Sequence, residues 1–200
     1  MSKHRIEAFS DGVFAIVITL LILTIRIPDV PPAALGEALS NMLPQVFTYV
    51  LSFFVVGLYW FAHHRVSHQV KLIDGPFIWL NLVWLLFVSV MPFPAALLGR
   101  YPLQGIPIAV YGIDLILANA TGFLIIVYLK NHSELCVNPI SSAALRGQAI
   151  VYGITNGIYV VAIGFARLLP WISYGIYAVV LAWLMIRHAR ISNPFLPKSP

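Results

Sequence analysis

The chain has 200 residues, 60% hydrophobic and only 10% charged, with a formal net charge of +5, and its mean hydropathy is +0.89. A soluble domain carries about 25% charged and about 45–50% apolar residues, so this composition excludes a solvated globular surface and makes a lipid bilayer the expected solvent. The positive charge could serve nucleic acid, but the basic residues cluster at the ends of apolar segments, so no nucleic-acid partner is expected.

The first apolar segment runs Phe9–Ile27. A basic start precedes it, yet Glu7 and Asp11 interrupt the approach and no small-residue cleavage site is evident, so a removable signal peptide is not expected. Pro28-Asp29-Val30-Pro31-Pro32 then breaks the chain, because proline cannot continue a helix and restricts the residue before it. The second segment is Leu43–Ala62 and the third Phe77–Leu98, where Pro92 and Pro94 predict a kink or an early end. The fourth is Ile106–Leu129 and the fifth Gly147–Phe165, followed across a tight Leu169-Pro170 turn by Trp171–Ile186. A membrane helix needs about 20 mostly apolar residues to cross a core of about 30 Å. Backbone groups must satisfy one another in lipid and nothing here alternates like a barrel strand, so the fold class is all-α with six transmembrane helices. They form one domain over 1–200, with no stretch left for a soluble catalytic domain. The single cysteine, Cys136, excludes an intrachain disulfide and a cysteine-rich zinc site.

The charges orient the bundle. Lys3, Arg5, Arg65, Lys71, Lys130, Arg146, Arg187, Arg190 and Lys198 fall on one side, and Arg26, Arg100 and Arg167 on the other. The positive-inside bias of nine against three places both termini in the cytoplasm, in agreement with an even number of helices.

Ionisable residues inside a membrane cost about 2.5–3.5 kcal/mol on insertion scales and mark function. The stretch Arg5-Ile6-Glu7-Ala8-Phe9-Ser10-Asp11-Gly12 opens the first segment, and Ser10 and Asp11 also suit a helix start. At about 100° per residue, Ile16, Leu20, Leu23 and Ile27 share a narrow stripe with Phe9, while Thr19 and Gly12 sit at its edge and Ser10 and Asp11 point away. Phase alone does not choose between lipid and a pore as the partner of that stripe. His64 and His68 have the spacing of a helical metal pair, but nothing acidic completes it nearby, so no metal and no cofactor are expected. Asp114 lies inside the fourth segment, either as a functional carboxylate or as a wet residue near the outer interface. Gly153-x-x-x-Gly157, with Ala149 and Gly164, predicts close helix packing within a subunit. Tyr-Gly-Ile recurs at Tyr111, Tyr152 and Tyr174, which interfacial tyrosines would explain. The few remaining polar residues do not line a water path through one subunit, so a pore belongs on a symmetry axis, lined by one helix per chain.

Arg5-x-x-x-Phe9-Ser10-Asp11, then Gly12-Val13-Phe14-Ala15-Ile16 and Thr19-Leu20-Leu21, resembles the signature of the transmembrane protein 175 family, the endolysosomal potassium channels and their bacterial and archaeal relatives. Trp60, His63-His64-Arg65, Asp74, Trp79-Leu80-Asn81 and Pro92-Phe93-Pro94 resemble that family's second and third helices. The second half of the chain matches in hydropathy alone. The resemblance implies a homotetramer, each subunit contributing its first helix to a central K⁺ pore, in a prokaryotic plasma membrane. It implies that Ile16, Leu20 and Leu23 form constricting rings, with a Thr19 hydroxyl ring beside the narrowest layer. It also implies a structural polar network of the Arg5, Phe9, Ser10 and Asp11 motif with Asn81 and either His64 or His63. No Thr-Val-Gly-Tyr-Gly carbonyl filter is present, so a moderately selective, leak-type channel is expected.

The competing reading is a proton-coupled or proton-permeable secondary transporter, in which Asp11, Asp114 and the histidines relay protons. No pair of broken helices at matching positions in two halves supports it. An intramembrane enzyme is not expected, since there is no Ser-His-Asp arrangement, His-Glu-x-x-His or Gly-x-Ser-x-Gly. A helical interaction protein would carry no flux.

Overall fold

The computed structural model describes residues 2–190; Lys198, counted above among the basic side, lies outside them. Eight α-helices follow in order: α1 Lys3–Leu20, α2 Leu35–Asn41, α3 Leu43–Gln69, α4 Gly75–Val90, α5 Pro92–Arg100, α6 Gly105–Asn131, α7 Ser142–Phe165 and α8 Pro170–Arg190. They make six spans long and apolar enough to cross a membrane, α4 and α5 together forming the third. The chain is an integral membrane protein.

Several boundaries differ from the hydropathy segments. α1 starts at Lys3 after an extended Ser2, so Ser10 and Asp11 lie two turns inside the helix and cap nothing. Its last turn tightens into a 3₁₀ segment over Leu21–Thr24. Ile27 therefore lies beyond the helix, in the extended run before Pro28, and does not belong to the helical stripe. The short α2 in the connection between α1 and α3 is too brief for a hydropathy window to find. The third span breaks at Met91 because Pro92 and Pro94 supply no N–H to the carbonyls of Val88 and Val90.

Asp74 caps α4. Its carboxylate accepts from the Phe77 amide at 3.0 Å and from the Tyr128 hydroxyl, tying the start of α4 to the end of α6. Burial acts to raise this carboxyl, but the Tyr128 and Phe77 hydrogen bonds outweigh it and hold it below the usual carboxylate range. A depressed carboxyl contributes stability above its unfolded pKa and loses it as pH falls through the folded one. Asp74→Ala is therefore expected to cost about 1 kcal/mol at neutral pH, the typical worth of a cap. Thermal melts on an acidifying series check this: the gap between wild type and variant narrows as pH falls, and a gap independent of pH contradicts the assignment.

α6 is the most buried span, packed against α4, α5, α7 and α8. Tyr111 is fully buried, its hydroxyl 3.1 Å from Ser52 Oγ, while Tyr152 and Tyr174 are half-buried, the Tyr174 hydroxyl meeting Thr48. Tyr177 donates to the Ile108 carbonyl at 2.9 Å and lies over Gly112, where a Cβ would collide with its hydroxyl and come within 2.8 Å of Ile163. α7 sits at the edge and packs through Thr155, Tyr159 and Ala162. That leaves Gly153, Gly157 and Gly164 facing outward with open space, so the expected packing within a subunit is corrected. The α3–α4 and α6–α7 connections are stitched by a Val70–Cys136 bridge, with the Lys71 amide 2.8 Å from the Leu135 carbonyl. Burial pushes the Cys136 thiol up, which keeps it protonated.

Candidate functional site

α1 packs on α3 and α4 through Ile6, Ser10, Phe14 and Val17, and the face continues through Leu21. These steps of three and four residues mark one side of a helix. Phe14 meets Trp84 edge-on at 5.9 Å and lies 5.6 Å from His63, which stacks on Trp84 at 5.3 Å. The remaining face of α1 points away from its own subunit. Ile16, Leu20 and Leu23 are 60%, 43% and 71% exposed there, and Phe9, Asp11, Gly12, Ala15 and Thr19 are exposed with them. Residues three apart eclipse in 3₁₀ geometry, so the tightened last turn keeps Leu23 in line with Leu20. The Thr19 hydroxyl donates to the carbonyls of Ala15 and Ile16, both at 2.9 Å. Its hydrogen is thus engaged, and its oxygen is left as an acceptor.

The polar groups form two strings rather than one network. The buried string is Ser10–Asn81–His63–Ser67. Asn81 donates from Nδ2 to Ser10 Oγ at 3.1 Å, Asn81 Oδ1 lies 2.9 Å from His63 Nε2, and His63 Nδ1 is 3.4 Å from Ser67 Oγ. All four side chains are buried. The exposed string is Asp11–Trp60–His64–His68. Trp60 donates from Nε1 to Asp11 at 2.9 Å and stacks on His64 at 5.7 Å, and the His64 and His68 Nε2 atoms are 3.1 Å apart.

His63, not His64, therefore joins Asn81, and Asp11 leaves the Ser10 network. Neighbours on a helix differ by about 100° in direction. Each adjacent pair, Ser10 with Asp11 and His63 with His64, must send one member inward and the other out. Arg5 is exposed and bonds no side chain among the described residues, and Phe9 is exposed beside it. Trp60, the partner of Asp11, was missed as a site residue; its place one turn before His64 was the available signal. Among the described residues no third histidine, cysteine or carboxylate joins His64 and His68. Asp114 is buried rather than wet, and its Oδ2 has no partner.

Membrane-length helices around a buried α6, with an α1 whose exposed sides are both aliphatic and polar, define a polytopic membrane protein. Residues 5–92 match the family described as endosomal/lysosomal potassium channel TMEM175. A potassium channel of Chryseobacterium sp. (strain P1-3) is 35% identical over 188 residues, covering 92% of this chain and 94% of that protein. The crystal structure of a lysosomal potassium-selective channel TMEM175 homolog from Chamaesiphon minutus superposes with a TM-score of 0.79 at 29% identity, covering 92% of this chain and 97% of that one. The endosomal/lysosomal proton channel TMEM175 of Homo sapiens is 44% identical over 101 residues, which is 46% of this chain and 20% of that much longer protein. The chain belongs to the TMEM175 family.

Proposed function

We propose that this chain is the subunit of a homotetrameric, moderately potassium-selective channel with α1 lining its pore. One observation carries the reading: away from its own subunit α1 exposes the Ile16–Leu20–Leu23 stripe with Thr19 at its edge and, on a separate side that points away from that stripe, Asp11 beside Trp60. Asp11 lies eight residues into a membrane span that begins at Lys3, about 12 Å along the helix. Lipid penalises a carboxylate at such a depth, whereas a water-filled axis or a facing subunit does not. Four copies of α1 around an axis stack Ile16, Leu20 and Leu23 into aliphatic rings that close a pore by dewetting, with the Thr19 oxygens as acceptors for a partly dehydrated ion. K⁺ releases water more easily than Na⁺, which favours K⁺ without a carbonyl filter. The buried Ser10–Asn81–His63 string orients α1. Relatives named potassium channels align with this chain over almost its full length. In this reading both termini are cytoplasmic, the six spans act as one channel domain in a prokaryotic plasma membrane, and no enzymatic step is involved.

A second reading, proton permeation, draws on the vertebrate relatives named proton channels. Flux from liposomes loaded with purified protein separates the two. K⁺ flux down its gradient, larger than Na⁺ flux and requiring no second solute, is expected. Proton flux that exceeds K⁺ flux would assign the proton reading, uptake that saturates and depends on a proton gradient would assign a transporter, and no flux of any cation from a folded oligomer overturns the channel.

A further inference from the structure

At the end of the bundle that holds the N-terminus, a cavity of about 60 Å³ opens between α3, α6, α7 and α8. A single water needs roughly 10–15 Å³, so the space takes a larger polar group. Arg65 from α3, Arg187 and His188 from α8, and Gln148 and Thr155 from α7 line it. No carboxylate lines it, and neither arginine makes an ion pair among the described residues. Two of its polar atoms, Arg65 Nη2 and Thr155 Oγ1, are buried with no hydrogen-bond partner. His188 donates from Nδ1 to the Leu184 carbonyl at 2.8 Å, so Nε2 of the neutral ring is an acceptor and the oxyanion contacts come from the other groups. The Arg65 guanidinium lies 5.6 Å from the Phe61 ring, which holds its fork in place.

A buried guanidinium nitrogen without a partner is costly, and two arginines converging without a counter-charge add to that cost. An anion removes both penalties. The planar fork of arginine fits phosphate oxygens in a bidentate way. Basic pockets between membrane helices at the cytoplasmic surface are where acidic headgroups bind. The lining therefore brings two arginines, an amide and a hydroxyl to one small space.

We propose that this cavity binds a phosphate-type oxyanion, held by Arg65 and Arg187, with an acidic phospholipid headgroup or free phosphate as its source. The site lies away from the outward face of α1 and does not depend on conduction.

The test uses purified full-length oligomer in detergent. Thermal melts are recorded with phosphatidylglycerol, phosphatidylcholine or inorganic phosphate, and retained lipid is counted by native mass spectrometry. Phosphatidylglycerol is expected to raise the melting temperature over phosphatidylcholine, and Arg187→Gln to lose about tenfold in affinity, as for one lost charge-assisted bond. Stabilisation by phosphatidylglycerol alone assigns a lipid headgroup, and equal stabilisation by inorganic phosphate assigns the free anion. Arg65→Gln should show the same loss; because it alters a partly buried residue, half-exposed Arg187 provides the deciding variant, checked for folding by size exclusion. Arg26→Gln, at the opposite end, is expected to change nothing. Equal melts in both lipids with phosphate inert, an Arg187→Gln variant indistinguishable from wild type, or an equal loss in Arg26→Gln overturns the proposal.

Discussion

Alanine at Ile16 or Leu20 is expected to raise K⁺ conductance several-fold and to weaken discrimination against Na⁺. Each substitution shortens a side chain that points away from its own subunit, and the proposed tetramer would repeat the deletion around its axis. A wider ring wets more readily, and an ion crosses it with more of its hydration shell, so selectivity falls as conductance rises. The argument turns on where the side chains lie. Exposed positions away from special features change stability by no more than about 0.5 kcal/mol. Leu21, one residue further on, is fully buried, and its truncation should cost about 2–5 kcal/mol. The Ile16 and Leu20 variants should therefore assemble normally and conduct differently, while Leu21→Ala should melt early. Single-channel or liposome-flux recordings of K⁺ and Na⁺ decide the matter; wild-type currents from both variants would remove α1 from the pore.

Asn81→Ala is expected to destabilise the subunit by about 2–5 kcal/mol, the range reached when a buried polar network is broken. Asn81 joins Ser10 of α1 to His63 of α3, and all three are buried. Its removal strands the Ser10 hydroxyl and His63 Nε2 together, beside the Phe14–Trp84 contact that seats α1. Alanine at His64 leaves this network whole, because His64 pairs with His68 on the outside. A marked loss of melting temperature and of the oligomer peak in Asn81→Ala but not in His64→Ala is the expected pattern. Equal stability of the two variants, or a stable Asn81→Ala, contradicts a supporting role for the buried string.

The α1 stripe is legible in the sequence because helical phase is a local property: Ile16, Leu20 and Leu23 align whatever surrounds them. The break in the third span was legible for the same reason, since Pro92 and Pro94 act on their own backbone. Ile27 was misplaced on that stripe because phase extrapolates through a helix end that the 3₁₀ turn and Pro28 impose. Tyr111 was assigned to an interface by residue type, although its hydroxyl finds Ser52 deep in the bundle. The outward glycines of α7 failed similarly: small-residue spacing marks a face for close approach without naming its partner.

Composition, hydropathy and charge asymmetry by themselves determined a six-span α-helical membrane protein, and the Arg-x-x-x-Phe-Ser-Asp signature pointed to its family. These are sums over neighbouring residues, and burying apolar side chains in lipid depends on little else. Only the tertiary structure decided that His63 rather than His64 meets Asn81, that Asp11 turns outward to Trp60, and that Arg65 and Arg187 share a cavity with no carboxylate beside them among the described residues. Those outcomes depend on the rotation of each helix about its axis, and that rotation is set by side chains packing across helices distant in the chain.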